Sequence, residues 1–104
     1  MMQQVLSNLI LNAVDEVPIG GEVIVKATKI NDPTGFTIKI EVIDYGKGLS
    51  EDVIKKVFDP FFTTKDSGIG LGLAIVHRLI ESQNGIISVR NGDHGGAIFK
   101  MLLP

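Results

Sequence analysis

Residues 36–44 read FTIKIEVID. Phe36, Ile38, Ile40 and Val42 fall on one face and Thr37, Lys39 and Glu41 on the other, the two-residue period of a β-strand with one buried side. A strand of this kind does not stand alone, because its apolar face needs an opposing layer. Asp44 falls in phase with the apolar set, and Gly46 and Gly48 follow at once. A carboxylate on the core side of a strand costs free energy unless it is hydrogen-bonded or wet. The stretch therefore demands a cover for its apolar face and a reason for its acid.

The cover is legible elsewhere in the chain. Residues 2–16 repeat apolar side chains at helical spacing: Val5, Leu9 and Ala13, and Leu6, Ile10 and Val14, form a broad apolar face. Gln4, Asn8, Asn12 and Asp15 form a polar stripe on another side. Residues 71–83 give a second helix, stopped by Asn84-Gly85, and Ser50 is a candidate N-cap for a short helix over 51–58. Strands are expected at 22–30, 86–90 and 97–103, and a loop at 59–70. Strands and helices alternate without a regular βαβ order. This predicts an α+β fold, a two-layer sandwich with helices on one face of the sheet.

The chain of 104 residues fits one domain, 1–104, with a modest core. It holds no cysteine, which excludes disulfides and thiolate metal sites, and its net charge of −2 gives no nucleic-acid footprint. No apolar run reaches the length of a membrane span, so no direct membrane contact is expected. A helical pattern that begins almost at Met1 reads as a domain excised from a longer polypeptide.

Four stretches carry chemistry. Asp44, acceptor-only and at the floor of an apolar slot, suits a ligand amino group such as the exocyclic amine of adenine. It equally suits an Asp capping its own turn. Gly68, Gly70 and Gly72 alternate into the start of a helix, where free amides and the helix dipole favour an anion; a plain loop-to-helix junction is the alternative. The spacing matches neither the P-loop nor the dinucleotide turn. Asn8, Asn12 and Asp15 share one side of the first helix, where an amide oxygen suits Mg²⁺, or where the stripe is simply solvated. Phe58, Phe61 and Phe62 are candidates for the core or for a lid hinge. Lys65, three residues before Gly68, is either a phosphate contact or a solvated loop lysine. His77 and His94 lack metal-ligand spacing.

The order of these stretches is more specific than any one of them. Asn8-Leu-Ile-Leu-Asn12-Ala, Asp44-Tyr-Gly46-Lys-Gly48, Phe58-Asp-Pro-Phe61-Phe and Gly68-Ile-Gly70-Leu-Gly72-Leu73 together resemble the ATP-binding catalytic domain of sensor histidine kinases. That family belongs with the gyrase, Hsp90 and MutL ATPases, and the run DPFFTTKDSGIGLGLAIV is similar to the nitrogen-regulator sensors. The resemblance spans nearly the whole chain. It implies a Bergerat-type sandwich with a mixed sheet of about five strands. It also implies ATP as bound nucleotide, ADP as product and Mg²⁺ as metal. Asn12 would ligate Mg²⁺ with Asn8 beside it, and Asp44 would accept from the adenine amine. Gly46 and Gly48 would shape the base pocket. Gly68, Ile69, Gly70, Leu71, Gly72 and Leu73 would form the lid and present amides to the phosphates, and Lys65 would contact the phosphate tail.

Two departures qualify the match. Many family members carry Lys followed by an aromatic after Asn-Ala-x, where this chain has Asp15-Glu16, and many carry Arg after the aromatic pair, where it has Thr63. Lys65 then becomes the main candidate cation, ahead of Arg78 and Lys47. Gyrase-type relatives place Glu where this chain has Asn8, and an amide is a poor general base. The resemblance thus implies nucleotide held for transfer rather than hydrolysis. Asn8 and Lys65 are the candidate catalytic positions. The acceptor would be a histidine on a separate dimerisation domain of the same polypeptide, since neither His77 nor His94 matches the acceptor motif. A response regulator would act downstream, and the location would be cytoplasmic, with a parent that is membrane-bound or free. A serine kinase of the anti-sigma-factor type, or a nucleotide-binding module without transfer activity, are the alternatives.

Overall fold

The computed structural model describes residues 2–62, 72–93 and 95–104. In chain order the elements are α1 (Met2–Glu16), β1 (Val23–Lys29), β2 (Ile38–Asp44), α2 (Glu51–Lys56), α3 (Gly72–Ser82), β3 (Ile86–Asn91) and β4 (Ala97–Leu103). The expected helices and strands are all present, with ends shifted by a residue or two. The short helix is trimmed most, closing at Lys56 rather than at residue 58.

The strands form one sheet in the order β1-β2-β4-β3, and every neighbouring pair is antiparallel. This corrects the expectation of a mixed sheet of about five strands: four are found among the described residues, none of them parallel. β2 and β4 are neighbours although α2, α3 and β3 lie between them in sequence. That crossover brings the start of β4 beside the end of β2, with Ile43 opposite Ile98.

The helices cover one face of the sheet. β2 buries Ile40, Val42 and Asp44 and leaves the residues between them half-buried. β4 buries Ala97, Phe99, Met101 and Leu103 on the same side. Against them α1 places Val5, Leu9 and Ala13, and α3 places Val76 and Ile80. The buried stripe of α1 is narrower than the sequence pattern predicts. Leu6 is only partly buried against the core, and Val14 and Leu11 are exposed. The helices also leave β1 largely uncovered. Val25 is 44 % exposed and Ile38 on β2 is 41 % exposed, although both project on the helix side of the sheet.

Local signals set the helix ends. Ser50 Oγ accepts from the Val53 N–H at 3.2 Å, the N-cap that the sequence predicts for α2. α3 closes with Asn84 at φ +63° and paired bonds from the Asn84 N–H to the Glu81 carbonyl and the Gly85 N–H to the Ile80 carbonyl. This is a Schellman cap with Asn in the left-handed position. Phe58 joins the core, with its ring edge-to-face on Phe99 at 6.1 Å and against His77 at 5.3 Å. Phe61 does not: it is 73 % exposed and sits at φ +66°.

Leu9 is fully buried at the centre of the helix–sheet interface. Leu9→Ala should cost about 2–5 kcal/mol of stability. Leu11→Ala, two residues along and 63 % exposed, should change it by less than about 0.5 kcal/mol. Urea unfolding midpoints of the two variants measure the contrast.

Candidate functional site

Asp44 ends β2 and is only 2 % exposed, the one charged or polar residue in the core among the described residues. The reason for the buried acid is visible in its bonds. Oδ1 accepts from the Gly46 N–H at 3.0 Å and from the Ala97 N–H at 3.2 Å. One oxygen therefore closes the turn after β2 and ties it to the first residue of β4. Oδ2 takes no bond from any described residue. Among those residues no buried side-chain oxygen or nitrogen lacks a partner. The turn-capping reading of Asp44 is thus met at Oδ1.

Glycine is required around this acid for steric reasons. Gly96 has φ +75°, and a Cβ there would run into the Asp44 carbonyl and the Tyr45 backbone. A Cβ on Gly46 would collide with the Glu16 carbonyl at the end of α1. Gly48 has φ +78°. The turn is thus wedged between the end of α1 and the tip of the β3–β4 hairpin.

Asn91 was not among the residues singled out by sequence. Its Oδ1 accepts from the Leu49 N–H at 2.8 Å and its Nδ2 donates to the Leu49 carbonyl at 2.7 Å. In the sequence, Asn91-Gly92 reads only as a turn dipeptide; nothing local signals a partner 42 positions away.

Asn8 and Asn12 are half-buried on one flank of α1, beside the buried line of Val5, Leu9 and Ala13. Asp15 is exposed on the same flank. Gly72 is the exposed first residue of α3, and Leu73 packs partly against the core. Thr63, Lys65, Gly68, Ile69, Gly70 and Leu71 lie outside the described residues, and so does His94. His77 pairs with Glu81 at 3.1 Å within α3, a structural use. Among the described residues no three His, Cys, Asp or Glu side chains cluster to hold a metal. The half-buried Asn12 carries an amide oxygen, a hard donor of the kind that Mg²⁺ takes together with phosphate and water oxygens.

The whole chain, residues 1–104, matches the family of histidine kinase-, DNA gyrase B- and HSP90-like ATPases, and it belongs to that family. Its relatives within the family are sensor histidine kinases. It is 42 % identical to the sensor histidine kinase ZraS of Escherichia coli O157:H7, over 99 % of this chain and 22 % of ZraS. The chain therefore spans about a fifth of that relative's length. Its fold superposes on the catalytic domain of the histidine kinase ThkA with a TM-score of 0.86 at 32 % identity, covering 99 % of this chain and 65 % of that domain. A second ThkA structure, in complex with the response regulator TrrA, gives 0.79 at 29 % identity over 99 % of this chain and 28 % of that one. Full-length ShkA in complex with AMPPNP gives 0.84 at 34 % identity, over 99 % of this chain and 21 % of ShkA.

The wedge around Asp44 has a measurable consequence. Gly96→Ala should destabilise the fold by more than about 1 kcal/mol, since the new methyl meets backbone that cannot rotate away. Gly35, also left-handed at φ +99° but with open space beside it, should lose only about 1 kcal/mol on the same change. Thermal unfolding of both variants tests the difference.

Proposed function

We propose that this chain is the ATP-binding catalytic domain of a longer sensor kinase, and that it transfers the γ-phosphoryl group of Mg–ATP to a histidine on a separate dimerisation domain of the same polypeptide. The observation that carries the reading is the division of labour at Asp44. Oδ1 is spent on two backbone amides, which fixes the group, while Oδ2 takes no bond from a described residue and would be the acceptor for a ligand. A fixed acceptor of this kind selects a ligand amine, and the adenine of ATP supplies one. The likeness to ShkA, solved with AMPPNP, supports the choice of an adenine nucleotide.

Asn12, with Asn8 beside it, would hold Mg²⁺ together with phosphate oxygens, and the ion would neutralise charge on the tail. Gly46 and Gly48 would leave room for the base. Gly68, Ile69, Gly70, Leu71, Gly72 and Leu73 would supply amides to the phosphates, with Lys65 as the cation. Lys65 and Asn8 would act by positioning and charge, as suits phosphoryl transfer. In the reaction a histidine nitrogen attacks the γ-phosphorus, the bond from that phosphorus to the bridging oxygen breaks, and ADP leaves. An amide at Asn8 cannot take a proton from water, so hydrolysis competes poorly.

A downstream response regulator is part of the same reading, supported by the ThkA–TrrA complex. No helix among the described residues is long and apolar enough to cross a membrane. We place the domain in the cytoplasm, where ATP is available, whether or not its parent is anchored. Further chain beyond this domain is supported by the fifth of ZraS that it spans and by the uncovered helix-side face of β1.

Two measurements test this. Asp44→Asn keeps an oxygen for the Gly46 and Ala97 amides and turns the second atom of the group from acceptor to donor. A hydrogen bond to a charged group is worth about 1.5–3 kcal/mol, so titration calorimetry should find ATP binding weakened by about tenfold to a hundredfold, with the circular dichroism spectrum intact. Mixing the domain with a helical acceptor domain and labelled ATP should give acid-labile phosphate on the acceptor and none on this chain. Acid-stable label on a partner would point to a serine kinase instead, and no nucleotide binding at all would reduce the domain to an interaction module.

A further inference from the structure

We infer that Asn91 is a positioning residue for the nucleotide base, holding the turn after Asp44 in its binding shape through a paired amide clamp on Leu49. The inference deepens the proposed function and rests on Asp44 being the base-binding acid.

The turn has an anchor at each end. At its entrance the Gly46 N–H donates to Asp44 Oδ1 at 3.0 Å. At its exit the Leu49 N–H and carbonyl bond to one side chain, Asn91, at 2.8 and 2.7 Å. The Asn91 amide thereby does for Leu49 what a neighbouring strand would do, satisfying the donor and acceptor of one residue at once. Between the anchors, Tyr45 and Lys47 are exposed and Gly48 holds φ +78°. A Cβ at Gly48 would stand 3.0 Å from Asn91 Oδ1, so the amide lies directly against the glycine. Only a primary amide fits this role. A carboxylate could accept from the Leu49 N–H, but its second oxygen would face the Leu49 carbonyl.

Asn91 is also exposed. Water can therefore take over the Leu49 backbone when the side chain is removed, and the loss falls on the order of the turn more than on the fold. A turn that must be ordered on binding weakens the ligand that orders it. The shape of this turn bears on the base and not on the phosphate tail, so the clamp acts on base recognition.

The test uses the whole chain with Asn91→Ala and Asn91→Asp. Amide hydrogen exchange read by NMR should show Leu49 exchanging about tenfold faster or more in both variants, while Gly46, held by Asp44, stays protected. Calorimetry should find ATP binding weakened about five- to twentyfold, GTP binding weakened less, and the preference for ATP narrowed. Unchanged exchange at Leu49 would overturn the clamp. Faster exchange with the full ATP preference retained would make Asn91 a structural residue only, and so would unfolding of both variants. If the unaltered chain binds no ATP, the Asp44 reading fails and the positioning role falls with it, while the exchange data still report on the clamp itself.

Discussion

The structure turns on one oxygen atom. Asp44 Oδ1 accepts from Gly46 within its own turn and from Ala97 on β4, so it joins the end of one strand to the start of its neighbour. A charged acceptor with two amide donors is the condition under which a carboxylate can be buried at low cost. The same bonds hold the carboxylate against the turn. Burial of the acid and closure of the turn are thus two results of one geometry. A freely rotating surface acid would offer the same chemistry but no direction.

That geometry depends on topology. β4 lies beside β2 because the chain returns through α2, α3 and β3 before pairing. The hairpin tip then falls under the turn after Asp44, and Gly96 passes so close to the Asp44 backbone that no side chain fits. α1 completes the enclosure: its last carbonyl, at Glu16, blocks a side chain on Gly46. Three elements distant in sequence meet at this turn. The core of Leu9, Val42, Val76, Phe99 and Met101 beneath them holds the two layers in register. Stability and site geometry are therefore coupled through packing, and a slip of β4 by one residue would carry Ala97 away from the carboxylate and expose the core face.

Much of this was legible in the sequence because it is local. The alternation over 36–44, the helical period of 2–16, the Ser50 cap and the Asn84-Gly85 stop each act within a few residues. The in-phase position of Asp44 was equally plain, and the ordered motifs carried the family. Non-local geometry was not legible. Asn91 looks like any asparagine before a glycine until folding places it against Leu49. The second role of the Asp44 carboxylate needs Ala97 at 53 positions' remove. The breadth of the α1 face also misled: Val14 is apolar and correctly spaced, yet it is exposed in the folded chain. The expectation of a fifth, parallel strand came from family likeness, and no residue pattern in this chain required it.

The anchoring of the base side of the proposed site has a functional logic. The base side is tied at every point: Asp44 to two amides, Leu49 to Asn91, Gly46 and Gly96 against backbone. The phosphate side of the proposed site falls mostly on the glycine-rich sequence 68–72, of which only Gly72 is among the described residues. Rigid recognition of a base sets which nucleotide binds. An acceptor must still reach the γ-phosphorus and ADP must still depart, motions that a fully clamped site would slow. With an amide at Asn8 in place of a general base, such a site is suited to holding ATP intact until an acceptor arrives. On the proposed function the choice of nucleotide would rest with the hydrogen-bonded acid Asp44, and the timing of transfer with the partner that brings the histidine.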